Sequence, residues 1–202
     1  VQSFVKQSLA GLRLLLVLTV ITGVLYPLAV WGVSRLPGLH ANAEGSVISE
    51  NGVPVGSSLI GIDPVAADPA NDPWFHNRPS ALAKEPLGPA DPSSSLGSNK
   101  AADNPDYLAV VQERKDAIAQ REGVPVERVP ADAVTASASG LDPHISPAYA
   151  ELQVRRVATV TGLSEEKVRE LVAEHTTGRG LGVLGEPGVN VLELNLAVRS
   201  AH

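Results

Sequence analysis

The densest run of chemistry-bearing side chains is Thr135–Ser146, TASASGLDPHIS, which holds Ser139, Asp142 and His144 within six positions. A serine, a carboxylate and an imidazole are the parts of a hydrolytic triad. The hydroxyl attacks, the imidazole takes its proton, and the carboxylate orients the imidazole. These groups must converge in a line, which neighbours on one short loop rarely do. The flanking residues also lack the Gly-x-Ser-x-Gly turn that presents a nucleophile at the end of a strand. The same residues serve a loop well: Gly140 permits a left-handed turn, Asp142-Pro143 shapes the backbone, and Ser146-Pro147 opens a helix. A structural loop is the expectation, and a membrane-tethered Ser–His hydrolase is an alternative.

Other chemistry is sparse. His40, His76, His144, His175 and His202 show no His-Glu-x-x-His spacing, and cysteine is absent, so neither a metal centre nor a disulfide framework is expected. Leu96–Lys100, LGSNK, resembles the tail of a phosphate-binding loop but lacks its first glycine and a preceding strand. The glycine-rich stretch 178–188 reads as tight turns. No catalytic residue, metal or directly bound cofactor follows from these residues.

What must hold them begins with Leu14–Ser34, twenty-one residues without a formal charge. As a helix this run reaches about 31 Å, the thickness of a bilayer's hydrocarbon core. A signal peptide has an h-region of about 7–15 residues. This run is longer, and the small-residue pattern Ala41-Asn42-Ala43 lies seven residues past its end, so a retained anchor is expected. Cleavage there, leaving an exported binding protein, is the alternative. Lys6 and Arg13 precede the span, and after Arg35 no Lys or Arg occurs until Arg78. Residues 1–13 are therefore expected in the cytoplasm, 14–34 in membrane lipid, and 35–202 outside the cell. Thr19, Thr22 and Gly23 offer a face for close helix approach, and Pro27 removes a helix hydrogen bond and favours a kink.

Beyond residue 35 lie all twenty-two Asp and Glu with thirteen of the sixteen Lys and Arg, a net charge of −9 that argues against nucleic acid as a partner. Ser46–Ser49 and Ser57–Ile62 read as short strands about Asn51-Gly52, the second with a glycine where another backbone approaches. From Asp63 to Asn104 periodicity gives way to recurring prolines. Trp74, Phe75 and Arg78 in WFHNRPSA nevertheless point to an ordered loop anchored by its aromatics. Helices are expected from Asn104 to about Gln120, with Leu108, Val111 and Ile118 on its buried face, then from Ser146 to Gly162 and from Ser164 to Gly178. A helical turn is expected at Val126–Val129. Val189–Val198 alternates as a strand. The sum is an α/β or α+β domain with a small sheet and three to four helices.

GSSLIGI at 56–62, WFHNRPSA at 74–81, LGSN at 96–99, TASASGLDPHIS at 135–146 and GEPGVNVLELNLAV at 185–198 follow the span in order. Together they resemble the C-subunit family of the bacterial Kdp potassium-transporting P-type ATPases. The family pattern carries Gln where Ile62 stands and Gly where Leu96 stands. The resemblance implies an accessory, non-catalytic subunit of an ATP-driven K+ transport complex, needed for its assembly and stabilisation. The implied partners are a channel-like K+-binding subunit, a P-type ATPase subunit and a small single-span subunit. Two family proposals are implied with it: the C subunit raises the ATP affinity of the ATPase subunit, or its domain lies over the ion entrance. On this reading Thr19, Gly23, Pro27, Trp74, Phe75, Arg78, Ser139, Asp142 and His144 are candidate partner contacts.

Overall fold

The computed structural model describes residues 2–88 and 91–202; Pro89, one of the loop prolines, lies outside them. The chain divides into two compact units, one ending at Val47 and the other running from Ile48 to His202.

The first unit is dominated by one apolar helix, Gln2–Ser34, which contains an 18-residue stretch of mean hydropathy 2.2 and is long and apolar enough to cross a membrane. It therefore begins well before the charge-free run. The helix consists of α1 (Gln2–Val20), a π-helical turn (Ile21–Leu25) and α2 (Tyr26–Ser34). Pro27 explains the interruption. It has no N–H to donate, and its ring crowds the preceding turn, so the ladder slips one residue and the Tyr26 N–H bonds the Ile21 carbonyl five residues back. Arg35 stacks over Trp31, 5.1 Å from its ring centroid, and pairs with Glu44 at 2.6 Å, just beyond the short helix α3 (His40–Ala43).

The second unit is α+β. β1 (Val47–Glu50) and β2 (Val53–Ser57) form a hairpin about Asn51 and Gly52, whose φ values of 51° and 79° suit a type I′ turn. Further on, α4 (Pro105–Glu122) leads through a 3-10 turn at Val126–Arg128 to α5 (Ala131–Val134) and β3 (His144–Ile145). α6 (Pro147–Thr161), α7 (Glu165–Glu174), β4 (Thr176–Thr177), β5 (Gly188–Asn190) and α8 (Val191–Ala201) complete the chain. β5 lies between β3 and β4, antiparallel to both. The caps behave as their chemistry requires. Asn104, Ser146 and Ser164 accept hydrogen bonds from Tyr107, Tyr149 and Lys167, and Gly123 and Gly162 close α4 and α6 in the left-handed conformation. Ala150, Val154, Val157 and Thr161 form the buried stripe of α6, and Val168, Leu171 and Val172 that of α7.

Four sequence expectations need correction. Residues 191–198 are helix, not strand: Asn190 accepts a hydrogen bond from the Glu193 N–H, and the buried residues Val191, Leu194, Asn195 and Val198 recur at helical spacing. The strand ends at Ser57: residues 58 and 59 turn, Ile60 bridges back to Ser57, and 61–62 are irregular, with Gly61 packed on loop backbone instead of a strand. α7 stops at Glu174, since β4 begins at Thr176 to pair with β5. Leu108 is exposed, and the buried side of α4 is carried by Arg114, Ile118, Ala119 and Glu122.

Those polar residues on buried faces explain how the segment between residues 63 and 104 is held. An irregular segment has no ladder partner, so its backbone groups need side chains instead. The Asn195 amide accepts from Phe75 N–H at 2.8 Å and donates to Phe75 C=O at 2.9 Å. The fully buried Gln153 brackets His76 in the same way, at 2.8 and 3.2 Å. Arg156 donates to the carbonyls of Asp72 and Trp74, and Arg114 to those of Ser80, Pro86 and Val134. Phe75 itself is wholly buried in the core.

Candidate functional site

The loop 135–146 is the hub on which the other four motifs converge. Gly61 donates its N–H to the Leu141 carbonyl at 2.8 Å, so the 56–62 turn is laid directly on this loop. Leu96 N–H and the Ser95 hydroxyl both donate to Ser139 C=O, at 2.9 and 3.0 Å, which brings in 96–99. Arg78 arrives from the 74–81 segment, donating to Thr135 C=O and to an Asp142 carboxylate oxygen, both at 3.2 Å. β3 pairs His144 with Asn190 of the 185–198 motif, and the Asn190 amide donates to Ser58 C=O, 132 residues away, at 2.9 Å.

Glycines make this approach possible. A Cβ on Gly61 would lie 2.5 Å from the Asp142 carbonyl oxygen, one on Gly97 2.9 Å from that of Ala138, and one on Gly140 2.9 Å from that of Leu96. Gly61→Ala is expected to destabilise the fold by about 1–3 kcal/mol, since both sides of that contact are backbone and neither can rotate away. Chemical denaturation checks this, and an unchanged midpoint would contradict the packing.

Within the hub the would-be triad is otherwise engaged. The Ser139 hydroxyl accepts from Leu141 N–H at 3.1 Å and lies 3.4 Å from the Ser137 hydroxyl. Asp142 accepts from its neighbour's backbone, His144 N–H, at 3.0 Å, and stands 3.6 Å from the His144 ring. Among the described residues no direct hydrogen bond joins the Ser139 and His144 side chains. These side chains instead border two adjoining clefts that share Arg78 and Asp142. One, of about 520 Å³, is lined by Leu59, Ile60, Ser139 and Leu141. The other, of about 390 Å³, is lined by Asp132, His144 and Glu186. Leu59 is 61% exposed at the rim. The Arg78–Asp142 ion pair is partly exposed between the two clefts, with side-chain exposures of 22% and 31%.

Of the other candidate residues, Trp74 is half-buried near the Arg156 clamp, and Phe75 has no surface to offer. Thr19 and Gly23 share an exposed face of the apolar helix, with the Thr19 methyl 4.0 Å from a Cβ built on Gly23. Pro27 lies just past the π-helical turn.

A second polar cluster was not anticipated. His76 is 8% exposed, with Nδ1 3.1 Å from Asp63 and Nε2 2.5 Å from Asp72. Burial opposes its charge, but the hydrogen bonds to the two carboxylates prevail and hold its pKa above the ordinary value. For Asp72, burial acts in the opposite direction and raises the pKa, but the bond to His76, its charge, the Trp74 amide and Arg156 together bring it below the ordinary value. The cluster walls a cavity of about 520 Å³ with Val65, Leu87 and Arg121. Its one sequence signal was Gln153, a polar residue on the otherwise apolar stripe of α6.

The family model described as KdpC: K+-transporting ATPase, c chain, matches residues 8–200. A potassium-transporting ATPase KdpC subunit of Kineococcus radiotolerans is 50% identical over 199 residues, covering 98% of this chain and 96% of the relative. The subunits of Streptomyces coelicolor and Polaromonas naphthalenivorans are 49% and 51% identical, over 94% and 93% of this chain and 90% and 91% of their own lengths. The chain belongs to the KdpC family, the c chain of the K+-transporting ATPases, and as such is a subunit of a K+-transporting complex whose apolar N-terminal helix associates it with the membrane.

Proposed function

We propose that this chain is a non-catalytic accessory subunit that assembles and stabilises the complex from outside the cytoplasm, docking through the hub on the channel-like K+-binding subunit. The observation that carries this reading is the convergence of four sequence-distant motifs on two adjoining clefts bordered by Leu59, Ile60, Arg78, Ser139, Asp142, His144 and Glu186. Their hydrogen bonds lock a shape instead of activating a nucleophile. Lys6 and Arg13, within the helix but ahead of its charge-free run 14–34, favour a cytoplasmic N-terminus, with the domain on the opposite face.

That orientation bears on ATP. A domain outside cannot touch cytoplasmic nucleotide, so its influence on ATP affinity is a coupling free energy transmitted through the partner subunits. The net charge of −9 raises the local cation concentration near an ion entrance, an effect that salt screens. In the membrane, Thr19, Gly23 and Pro27 give the helix a face for close packing against a neighbouring span. Trp74→Cys and Ser139→Cys, each the chain's only cysteine, are expected to cross-link to the channel-like subunit in intact membranes. Adducts solely with the cytoplasmic nucleotide domain would overturn the placement.

A further inference from the structure

Arg114 is a buried cation without a counter-ion. It is 5% exposed, and its guanidinium donates to the carbonyls of Ser80, Pro86 and Val134. Among the described residues no carboxylate pairs with it, whereas Arg121 and Arg156 share Glu122. Carbonyl dipoles satisfy N–H groups but do not neutralise a charge. Burial accordingly pushes the Arg114 pKa below the ordinary guanidinium value, with Tyr107 acting the other way. The guanidinium also carries more N–H groups than these carbonyls use.

Arg114 lines a cavity of about 140 Å³ with Ala81, Ser98, Lys100, Tyr107 and Val110. Two of these residues are cations and none is a carboxylate. Asp106, 3.4 Å from Lys100 Nζ, is 79% exposed and stands outside the lining. Among the described residues the Ser98 and Tyr107 hydroxyls have no hydrogen-bond partner. We propose that this cavity binds a small oxyanion, a phosphate or sulfate group, held by Arg114 and Lys100 with the Ser98 and Tyr107 hydroxyls. The residues beyond 35 carry a net −9, so an anion is retained only where local donors hold it, and charge-assisted hydrogen bonds are the strong ones. Volume narrows the ligand further: pockets for larger molecules run from about 300 Å³ upward, so a nucleotide does not fit. Free phosphate and an anionic lipid headgroup both carry the required group, and the test separates them. The site goes beyond the subunit reading and does not depend on it.

The test titrates the detergent-solubilised full chain with inorganic phosphate by calorimetry, in chloride buffer of constant ionic strength. One saturable site is expected. Lys100→Gln should weaken it about tenfold, through loss of a charge-assisted contact, and Tyr107→Phe about threefold. Both variants should keep the wild-type melting temperature without phosphate, since the Lys100 side chain is 40% exposed and the Tyr107 hydroxyl holds nothing else in place. Lys167→Gln on α7 makes the same charge change away from the cavity and should leave the affinity unaltered. No saturable binding, or equal affinities in Lys100→Gln and Lys167→Gln, overturns the site. Dioctanoylphosphatidylglycerol is the second probe: displacement of phosphate by this lipid assigns the site to a headgroup, and phosphate binding undisturbed by it assigns the site to the free anion. None of these results touches the subunit reading, which a wild-type chain that co-purifies with no partner would overturn.

Discussion

Glu122→Ala is expected to lower the unfolding free energy of the second unit by about 3–5 kcal/mol, the range for leaving buried charges without their partner. The Glu122 carboxylate is completely buried between two guanidinium groups, 2.7 Å from Arg121 Nε and 3.0 Å from Arg156 Nε. Arg121 is itself largely shielded from solvent, its side chain 17% exposed. Burial opposes its charge, but the Tyr149 hydroxyl and Glu122 beside it prevail and hold its pKa above the ordinary guanidinium value. Without Glu122 two cations face each other in a site with little water. The damage should reach further, because Arg156 also holds the Asp72 and Trp74 carbonyls. Trp74 is the only tryptophan beyond the membrane helix, so its emission reports both unfolding and local loosening. Arg156→Met added to Glu122→Ala should cost less than the sum of the two changes made alone. A loss below about 1 kcal/mol for Glu122→Ala would contradict the argument.

A second large effect is expected from pH. Both ring nitrogens of His76 face carboxylate oxygens, and a neutral imidazole can donate from only one nitrogen. The geometry therefore calls for the charged ring, in agreement with a pKa raised above the ordinary 6.5. A group whose pKa is higher folded than unfolded contributes its full stabilisation below the unfolded value. That contribution disappears as pH rises through the folded value. Asp72 works in the opposite sense: its lowered pKa stabilises the fold above the ordinary 3.8, and this is lost as pH falls through the folded value.

The denaturation midpoint should accordingly fall from neutral to alkaline pH. His76→Leu, which strands Asp63 and Asp72, should cost about 3 kcal/mol at neutral pH. His76→Gln should flatten the alkaline decline. A wild-type profile as flat as that of His76→Gln would refute the role assigned to the charged ring.

The two networks show why a periodicity reading falls short in this chain. Gln153 and Asn195 occupy helix positions where spacing alone asks for an apolar residue, and each brackets a backbone segment 77 or 120 residues earlier. Nothing near them in the chain names that partner. The same limit produced the error at 191–198. Leu192, Leu194, Leu196 and Val198 alternate, yet Val191, Leu194, Asn195 and Val198 also recur at helical spacing. The Asn190 cap with Glu193 three residues on favoured the helix, and it was the better guide.

What the sequence by itself determined is where α4 and α6 start and stop, where the hairpin turns, and that a helix near the N-terminus is apolar enough for lipid. Each depends on forces acting within about four residues: a cap oxygen on a free N–H, a glycine taking positive φ, an unbroken apolar run. Only the tertiary structure decided which distant segments meet. Gly61 against Asp142, Arg78 on Asp142, and Asn190 on Ser58 are each one satisfied contact among many conceivable ones. Which contacts form is settled by filling the core and pairing every buried polar group at once, a condition on the whole chain that no local pattern records.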